Sequence, residues 1–213
     1  THSGQWFGVR YQFNGIDPDF RTRSGFISRS GDANLSLTNL LTIKGKPGAF
    51  VESFTPDITL NGTWTYDRLM DGKGVRDPKI HFNLNAQFKG GWQAGMSLLL
   101  EYFGYDPRIY TDYALEVPAA GGGLDTVAFT GGNQRIPNRD WVWSLNTPEW
   151  QNFSANGFIL IGQDENFQEW ASSEIIFADF GLQFRPTSQL RIEGRYRQNQ
   201  YKRRSDRTLV ARQ

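Results

Sequence analysis

Residues Lys79–Phe88 (KIHFNLNAQF) and Trp92–Tyr102 (WQAGMSLLLEY) alternate between apolar and polar side chains with a period of two residues. This period puts successive side chains on opposite faces of a β-strand. Only Lys89–Gly91 separates the segments, and a three-residue connection with two glycines is typical of a β-hairpin. Each segment has about ten residues, the length of a tilted strand that crosses a lipid bilayer. The pair therefore predicts a membrane-spanning β-hairpin.

A symmetric turn also predicts which residues face each other across the hairpin. With Lys89–Gly91 at the centre, Phe88 opposes Trp92. The same register pairs Lys79 with Glu101, and opposite charges across a sheet are stabilising. A symmetric turn at Pro186–Ser188 likewise predicts three pairs: Gln183 with Arg191, Asp179 with Arg195, and Phe180 with Gly194.

Similar alternation recurs along the chain and indicates seven further strands. They are Trp6–Asn14, Ala33–Ile43, Ile58–Tyr66, Trp141–Thr147, Ser154–Gly162, Trp170–Arg185 and Gln189–Tyr201. Long connections over 15–31, 67–78 and 104–138 alternate along the chain with short turns. Outer-membrane barrels show this arrangement because their loops are long on one side of the membrane and short on the other.

The predicted fold is all-β, an antiparallel up-and-down transmembrane β-barrel, with residues 1–213 forming a single barrel region. About nine strands is an odd number, whereas bacterial single-chain barrels have even numbers. The tail Arg207–Gln213 has the composition of a further strand that is cut short. We therefore expect an incomplete portion of a larger barrel. Missing strands or other subunits must close it, because unpaired sheet edges do not persist in lipid.

Composition excludes several classes of protein. The chain has 23 Lys and Arg and 22 Asp and Glu, a net charge of +1, so nucleic acid is not an expected partner. An apolar content of 38% and a mean hydropathy of −0.55 argue against a helical membrane protein. They are compatible with a barrel, since half of each strand faces a polar lumen. The 15% of aromatic residues suits either interfacial girdles or a sugar-binding sandwich.

The polar face of each predicted strand is expected to line the lumen. An arginine on the lipid face would cost about 2–4 kcal/mol at the bilayer midplane, so the charged residues are assigned to the inside. The predicted lumen-facing residues are His81, Asn83, Asn85, Gln87, Asp179, Gln183, Arg191, Glu193, Arg195 and Arg197. They form either a charged pore lining or plug, or a network whose members satisfy one another's charges.

The sequence carries no motif for catalysis. Its two histidines, His2 and His81, lack the spacing of zinc ligands, and no Gly-x-Ser-x-Gly elbow is present. The carboxylate pair Asp164 and Glu165 lies in a turn-like segment, where Asp commonly binds backbone groups; nothing in the sequence supports a calcium site there. We expect no catalytic residue, no metal, no cofactor and no enzymatic activity.

Aromatic residues in the long connections are candidate ligand contacts. Sugar rings stack on tyrosine and tryptophan side chains, so an outer loop rich in them suits glycan binding. The candidates are Tyr105, Tyr110, Tyr113, Trp141 and Trp143. The alternative is an interfacial aromatic girdle together with packing inside the loop.

The segment Asp17–Arg29 (DPDFRTRSGFISR) resembles the Asn/Asp-Pro-x-Phe … Gly-Phe-x-x-Arg stretch of a family of uncharacterised bacterial outer-membrane proteins. The preceding strand Phe7–Asn14 and the closing strand Leu190–Gln200 are also similar to that family. In its members, a family-9-like carbohydrate-binding module precedes a C-terminal β-barrel region. The resemblance implies that the whole chain is part of the barrel and links it to glycans, and it brings no catalytic residues.

These patterns predict a protein of the bacterial outer membrane with a channel-like, transporter-like or anchoring role. Its expected partners are the lipid bilayer and, through the resemblance, a polysaccharide that it binds or takes up. The alternative is a secreted, soluble, all-β carbohydrate-binding module. Dependence on detergent separates the two, because the module would be monodisperse without it.

Overall fold

The computed structural model describes residues 1–21, 30–131, 134–167, 170–203 and 211–212. In these residues the chain is all-β, and consecutive long strands pair antiparallel. The predicted antiparallel up-and-down fold is confirmed at this level. Its main sheet contains 11 strands.

The strands, in chain order, are β1 (His2–Ser3), β2 (Phe7–Gly15), β3 (Asp32–Leu41), β4 (Ile43–Lys44), β5 (Val51–Thr65), β6 (Asp77–Phe88), β7 (Trp92–Gly104), β8 (Ala114–Pro118), β9 (Leu124–Ala128), β10 (Arg135–Asn146), β11 (Phe153–Asn166), β12 (Ala171–Phe184), β13 (Ile192–Arg203) and β14 (Ala211–Arg212). A helix α1 (Tyr66–Met70) and a 3₁₀ turn (Pro107–Ile109) lie in two of the connections. Neither these nor any other helix in the described ranges has the length and apolar character needed to cross a membrane.

The main sheet has the order β1-β2-β3-β5-β6-β7-β10-β11-β12-β13, with β4 paired to β5. All of these strands except β1 and β4 are nine or more residues long, which gives the nine strands that the sequence predicts. Within the described part of the chain, no pairing joins β13 to β1 or β2. The sheet is open at both edges, so closure into a barrel stays a prediction.

The β6–β7 hairpin has the predicted register. Phe88 pairs with Trp92 across the turn, and Lys79 pairs with Glu101 at the other end of the ladder. The Lys79 ammonium lies 3.0 Å from the Glu101 carboxylate. Gly90 and Gly91 have φ angles of +85° and +89°, a region in which glycine has no steric penalty, so the short turn is specified by its two glycines.

The predicted register of the β12–β13 hairpin is wrong by two residues. Gln183 pairs with Glu193 and Asp179 with Arg197, because the connection spans residues 185–191 rather than three. The Thr187 hydroxyl accepts the N–H groups of Gln189 and Leu190, which widens the turn. An even shift keeps every side chain on its predicted face.

The predicted pairing of Phe180 with Gly194 is also wrong, since Gly194 pairs with Leu182. The Phe180 ring instead lies over Gly157 on β11, where an added Cβ would come within 3.0 Å of the ring. The aromatic ring of Phe180 therefore covers a glycine on β11 and not the one on β13.

Three connections at one end of the sheet are long, as predicted: 16–31, 66–76 and 105–134. The fourth, 167–170, has only four residues, because β11 extends to Asn166. The 105–134 connection is not irregular throughout, since β8 and β9 form a hairpin within it. The tail does not continue the main sheet in its described part: Ala211 and Arg212 pair with β8.

Candidate functional site

The two faces of the main sheet differ in polarity and in exposure. On β6, the outer face carries Ile80, Phe82 and Leu84, which are 39%, 40% and 36% exposed. The inner face carries His81, whose side chain is 24% exposed, and across the hairpin Glu101, at 11%. A soluble sheet buries its apolar face and exposes its polar face, so the polarity is reversed at these positions. Nearer the short turn, the inner-face residues Asn85 and Gln87 are exposed as well.

Aromatic rings follow one another along the outer face at the end of the sheet that carries the short turns. Phe50 packs against Phe88 with 5.4 Å between ring centroids. Trp150 lies 5.6 Å from Trp92 and 5.7 Å from Phe153. A row of this kind matches the aromatic girdles found where membrane strands meet the headgroup region.

A polar row ends the apolar surface at the opposite end of strands β10 to β13. Arg139 pairs with Gln163, Gln163 with Glu174, and Glu174 with Lys202. The next outer-face row toward the middle is apolar on β10 to β12, where Trp141, Ile161 and Ile176 face one another in turn.

The apolar surface has the height of a membrane. From Trp92 to Tyr102 the outer face of β7 covers ten steps of the strand, about 33 Å at roughly 3.3 Å per residue. A strand tilt of about 40° reduces this to about 25 Å, the height of the lipid-facing band in outer-membrane barrels.

Hydrogen bonds connect the inner-face side chains of β3, β5 and β6. Asn83 donates to Asp57 at 2.7 Å, and the Thr59 hydroxyl donates to the same carboxylate at 3.3 Å. Thr59 also lies 3.0 Å from the hydroxyl of Thr38. His81 Nε2 lies 2.5 Å from Glu101. These contacts link polar side chains of the inner face to one another.

The other predicted inner-face residues cluster on β12 and β13. Arg195 makes two hydrogen bonds to Asp179, at 2.7 and 2.6 Å, and Arg197 donates to it at 3.0 Å. Arg191, which precedes β13, pairs with Glu193. The remaining three predicted residues, Asn85, Gln87 and Gln183, occupy inner-face positions of their strands.

An ionic cluster, made of Asp32, Arg76, Asp77, Asp106 and Arg108, ties the long connections together. Arg76 lies 2.8 Å from both Asp77 and Asp106, and Arg108 lies 2.8 Å from both Asp106 and Asp32. The Arg76 and Asp106 side chains are only 10% and 4% exposed. Hydrogen bonds to Asp106 and Asp32 raise the pKa of Arg108.

This cluster was not predicted from the sequence, although the register of the β6–β7 hairpin contained a signal for it. Arg76 and Asp77 precede the first strand of the hairpin, and Asp106 and Arg108 follow the second. Because hairpin ends meet, these residues had to lie close together.

An aromatic cluster packs beside the ionic cluster. Tyr110, Ile136 and Trp170 are 3%, 1% and 3% exposed. Partly buried aromatic residues surround them: Phe103, Tyr105, Tyr113 and Phe129. Tyr110 donates its hydroxyl to the Phe167 carbonyl at 2.6 Å, and burial raises the pKa of Tyr110 to about 12.

The structure therefore changes the list of candidate ligand contacts. Tyr110 is buried and stacks on Tyr105 with centroids 5.4 Å apart, so it offers no open ring face. Tyr105 and Tyr113 are partly buried in the same packing. Trp141 and Trp143 are not loop residues: they lie within β10 on the outer face, with their rings stacked 6.2 Å apart.

In comparisons with known proteins, no family model, no curated protein and no solved structure matches the chain. The resemblance to an outer-membrane family stays a prediction. Residues 22–29, which form most of the motif that carries it, lie outside the described residues.

Proposed function

We propose that this chain is the strand-forming part of a β-barrel in the outer membrane of a Gram-negative bacterium. The reversed polarity of the main sheet carries the proposal: large apolar side chains are exposed on the outer face, and hydrogen-bonded polar side chains occupy the inner face. Lipid favours this distribution and water disfavours it. The aromatic row and the polar row at the two ends of the apolar surface support the same assignment.

The inner face supports a channel-like, transporter-like or anchoring role. Several of its charges are paired, as in Lys79 with Glu101 and Arg195 with Asp179. At one end, the ionic and aromatic clusters hold residues of the long connections against one another. A polar face of this kind suits contact with a polar solute, and the family resemblance makes a polysaccharide the solute of first interest.

Closure of this barrel requires further strands. Because each long strand is antiparallel to the next, the first and ninth long strands, β2 and β13, run in the same direction. Direct pairing of these edges would be parallel. An odd number of additional strands, from another part of the protein or from a partner, closes the sheet with antiparallel pairs only.

The test is to express the protein with an export signal, separate the membranes, and compare gel migration before and after heating. We expect recovery in the outer membrane, extraction only by detergent, and faster migration of the unheated sample. A protein that is monodisperse without detergent contradicts the proposal.

A second candidate, a secreted carbohydrate-binding module, is favoured by one observation. The stacked rings of Trp141 and Trp143 are 39% and 40% exposed and present a flat surface that suits a sugar ring. If the protein is soluble, binding to a glycan array should be lost in Trp143→Ala and retained in Trp150→Ala, a tryptophan outside this pair.

A further inference from the structure

Oxygen-bearing side chains converge at the loop end of strands β10 to β12. We call them the acidic cluster, and its members are Asn138, Asp140, Asp164, Glu165 and Ser173. The Asn138 side chain contacts Asp164, which faces Ser173 on the next strand. Asp140 lies on β10 two residues after Asn138, on the same face, and it faces Gly162 on β11.

Two carboxylates of this cluster share one hydrogen-bond donor. The Asn138 amide donates to Asp164 at 2.7 Å and also contacts the carboxylate of Glu165. Among the described side chains, no Lys, Arg or His forms an ion pair with Asp140, Asp164 or Glu165. Like charges this close, sheltered from water, are relieved by a proton that they share or by a compensating positive charge.

Three buried oxygens of the cluster have no hydrogen-bond partner: Asn138 Oδ1, Asp140 Oδ1 and Ser173 Oγ. Their residues are 4%, 3% and 0% exposed. Buried polar atoms without a partner are uncommon in folded proteins and indicate an ion or water that satisfies them. Gly162 makes room for one of them, because a Cβ there would lie 2.4 Å from Asp140 Oδ1.

We propose that the acidic cluster binds a hard divalent cation of the Ca²⁺ class. Such ions prefer carboxylate, amide and hydroxyl oxygens and tolerate irregular geometry. No group of three or more His, Cys, Asp or Glu side chains in the described ranges forms a metal site by itself. The neutral oxygens of Asn138 and Ser173 would complete the coordination, because both are buried without a hydrogen-bond partner. This inference is independent of membrane insertion, since it rests on the strand register, the burial and the contacts of these side chains.

The test is calorimetric titration of the full-length protein, stripped with EDTA, with CaCl₂. We expect one site, and a thermal midpoint that rises by about 5 °C or more at saturation. Asp164→Asn should lower the affinity by roughly tenfold or more. The matched control is Asp57→Asn, which alters an inner-face carboxylate outside the cluster and should bind Ca²⁺ as the unaltered protein does.

Ser173→Ala keeps the test decisive if Asp164→Asn does not fold. As a ligand, Ser173 should contribute to affinity, so its removal weakens Ca²⁺ binding. As a merely unsatisfied hydroxyl, its removal raises the thermal midpoint in EDTA and leaves Ca²⁺ binding unchanged. The absence of heat and of a thermal shift in the unaltered protein overturns the proposal, as does an equal effect of Asp164→Asn and Asp57→Asn.

Discussion

At the scale of single residues, buried charge determines the structure of the long connections. Arg76 is the central cation of the ionic cluster, with Asp77 and Asp106 both within 2.8 Å of it. Its removal would leave Asp77 buried without a counter-ion and Asp106 with Arg108 as its one cation among the described residues. Breaking a buried ionic group in this way is costly even where the intact group adds little net stability.

We predict that Arg76→Met lowers the free energy of unfolding by about 3–5 kcal/mol, measured by urea denaturation of the protein in vesicles or detergent. The matched control is Lys73→Met, which breaks an ion pair with Asp71 between side chains that are 60% and 55% exposed. It should change stability by less than about 0.5 kcal/mol. Equal effects of the two substitutions would mean that the ionic cluster does not hold the connections.

Tyr110 gives a prediction for alkaline pH. Its pKa in the folded protein, about 12, lies above the ordinary value of 10.0 because burial disfavours the phenolate. The neutral form therefore stabilises the fold fully below pH 10.0, and this contribution is lost as the pH rises toward 12. In an ultraviolet titration of the eight tyrosines, Tyr110 should be the latest-titrating group, beyond Tyr105, whose pKa burial also raises. Tyr110→Phe should remove it; its persistence in that variant would assign the shift to another tyrosine.

At the scale of elements, side-chain alternation predicted faces better than it predicted registers. The β6–β7 register followed from sequence because two glycines fix a three-residue turn. The β12–β13 register did not, because the hydrogen bonds of Thr187 widen the turn by an amount that alternation does not encode. The ionic cluster was also not predicted, because it joins Asp32 to Arg108, which are 76 residues apart in the sequence.

Pairs of introduced cysteines test the corrected register. The sequence contains no cysteine of its own, so no native thiol competes for disulfide formation. Gln183→Cys with Glu193→Cys joins directly facing positions and should form a disulfide under mild oxidation. Gln183→Cys with Arg191→Cys, the pair that a symmetric turn predicts, should form it much less efficiently. A reversed order of the two yields would restore the symmetric register.

At the scale of the whole molecule, the main sheet has one apolar face, and many of its large side chains are exposed. The sequence predicted this face through alternation and also predicted an incomplete set of strands, and both sheet edges are unpaired among the described residues. Closure of the sheet would depend on strands that no local sequence pattern identifies. The function of the inner face would then depend on which strands pair with the two edges.

A charged side chain should lower the stability of the protein where it faces lipid and change it little where it faces water. Leu84→Arg should lower the stability of the inserted protein by about 2–4 kcal/mol, since position 84 lies in the middle of the apolar face of β6. Asn85→Arg, its inner-face neighbour, is the matched control and should have a much smaller effect. Comparable tolerance of both substitutions in urea unfolding from vesicles would argue for a solvated outer face.

The most direct measurement of the central claim is the collisional accessibility of spin labels placed one at a time along positions 80–88 of the membrane-reconstituted protein. Labels at the outer-face positions Ile80, Phe82, Leu84 and Ala86 should collide with oxygen dissolved in lipid and little with a water-soluble nickel complex. Labels at His81, Asn83 and Asn85 should show the opposite preference, so the two profiles alternate out of phase with a period of two. High nickel accessibility at Phe82 and Leu84 would contradict the account, because it would mean that the apolar face meets water.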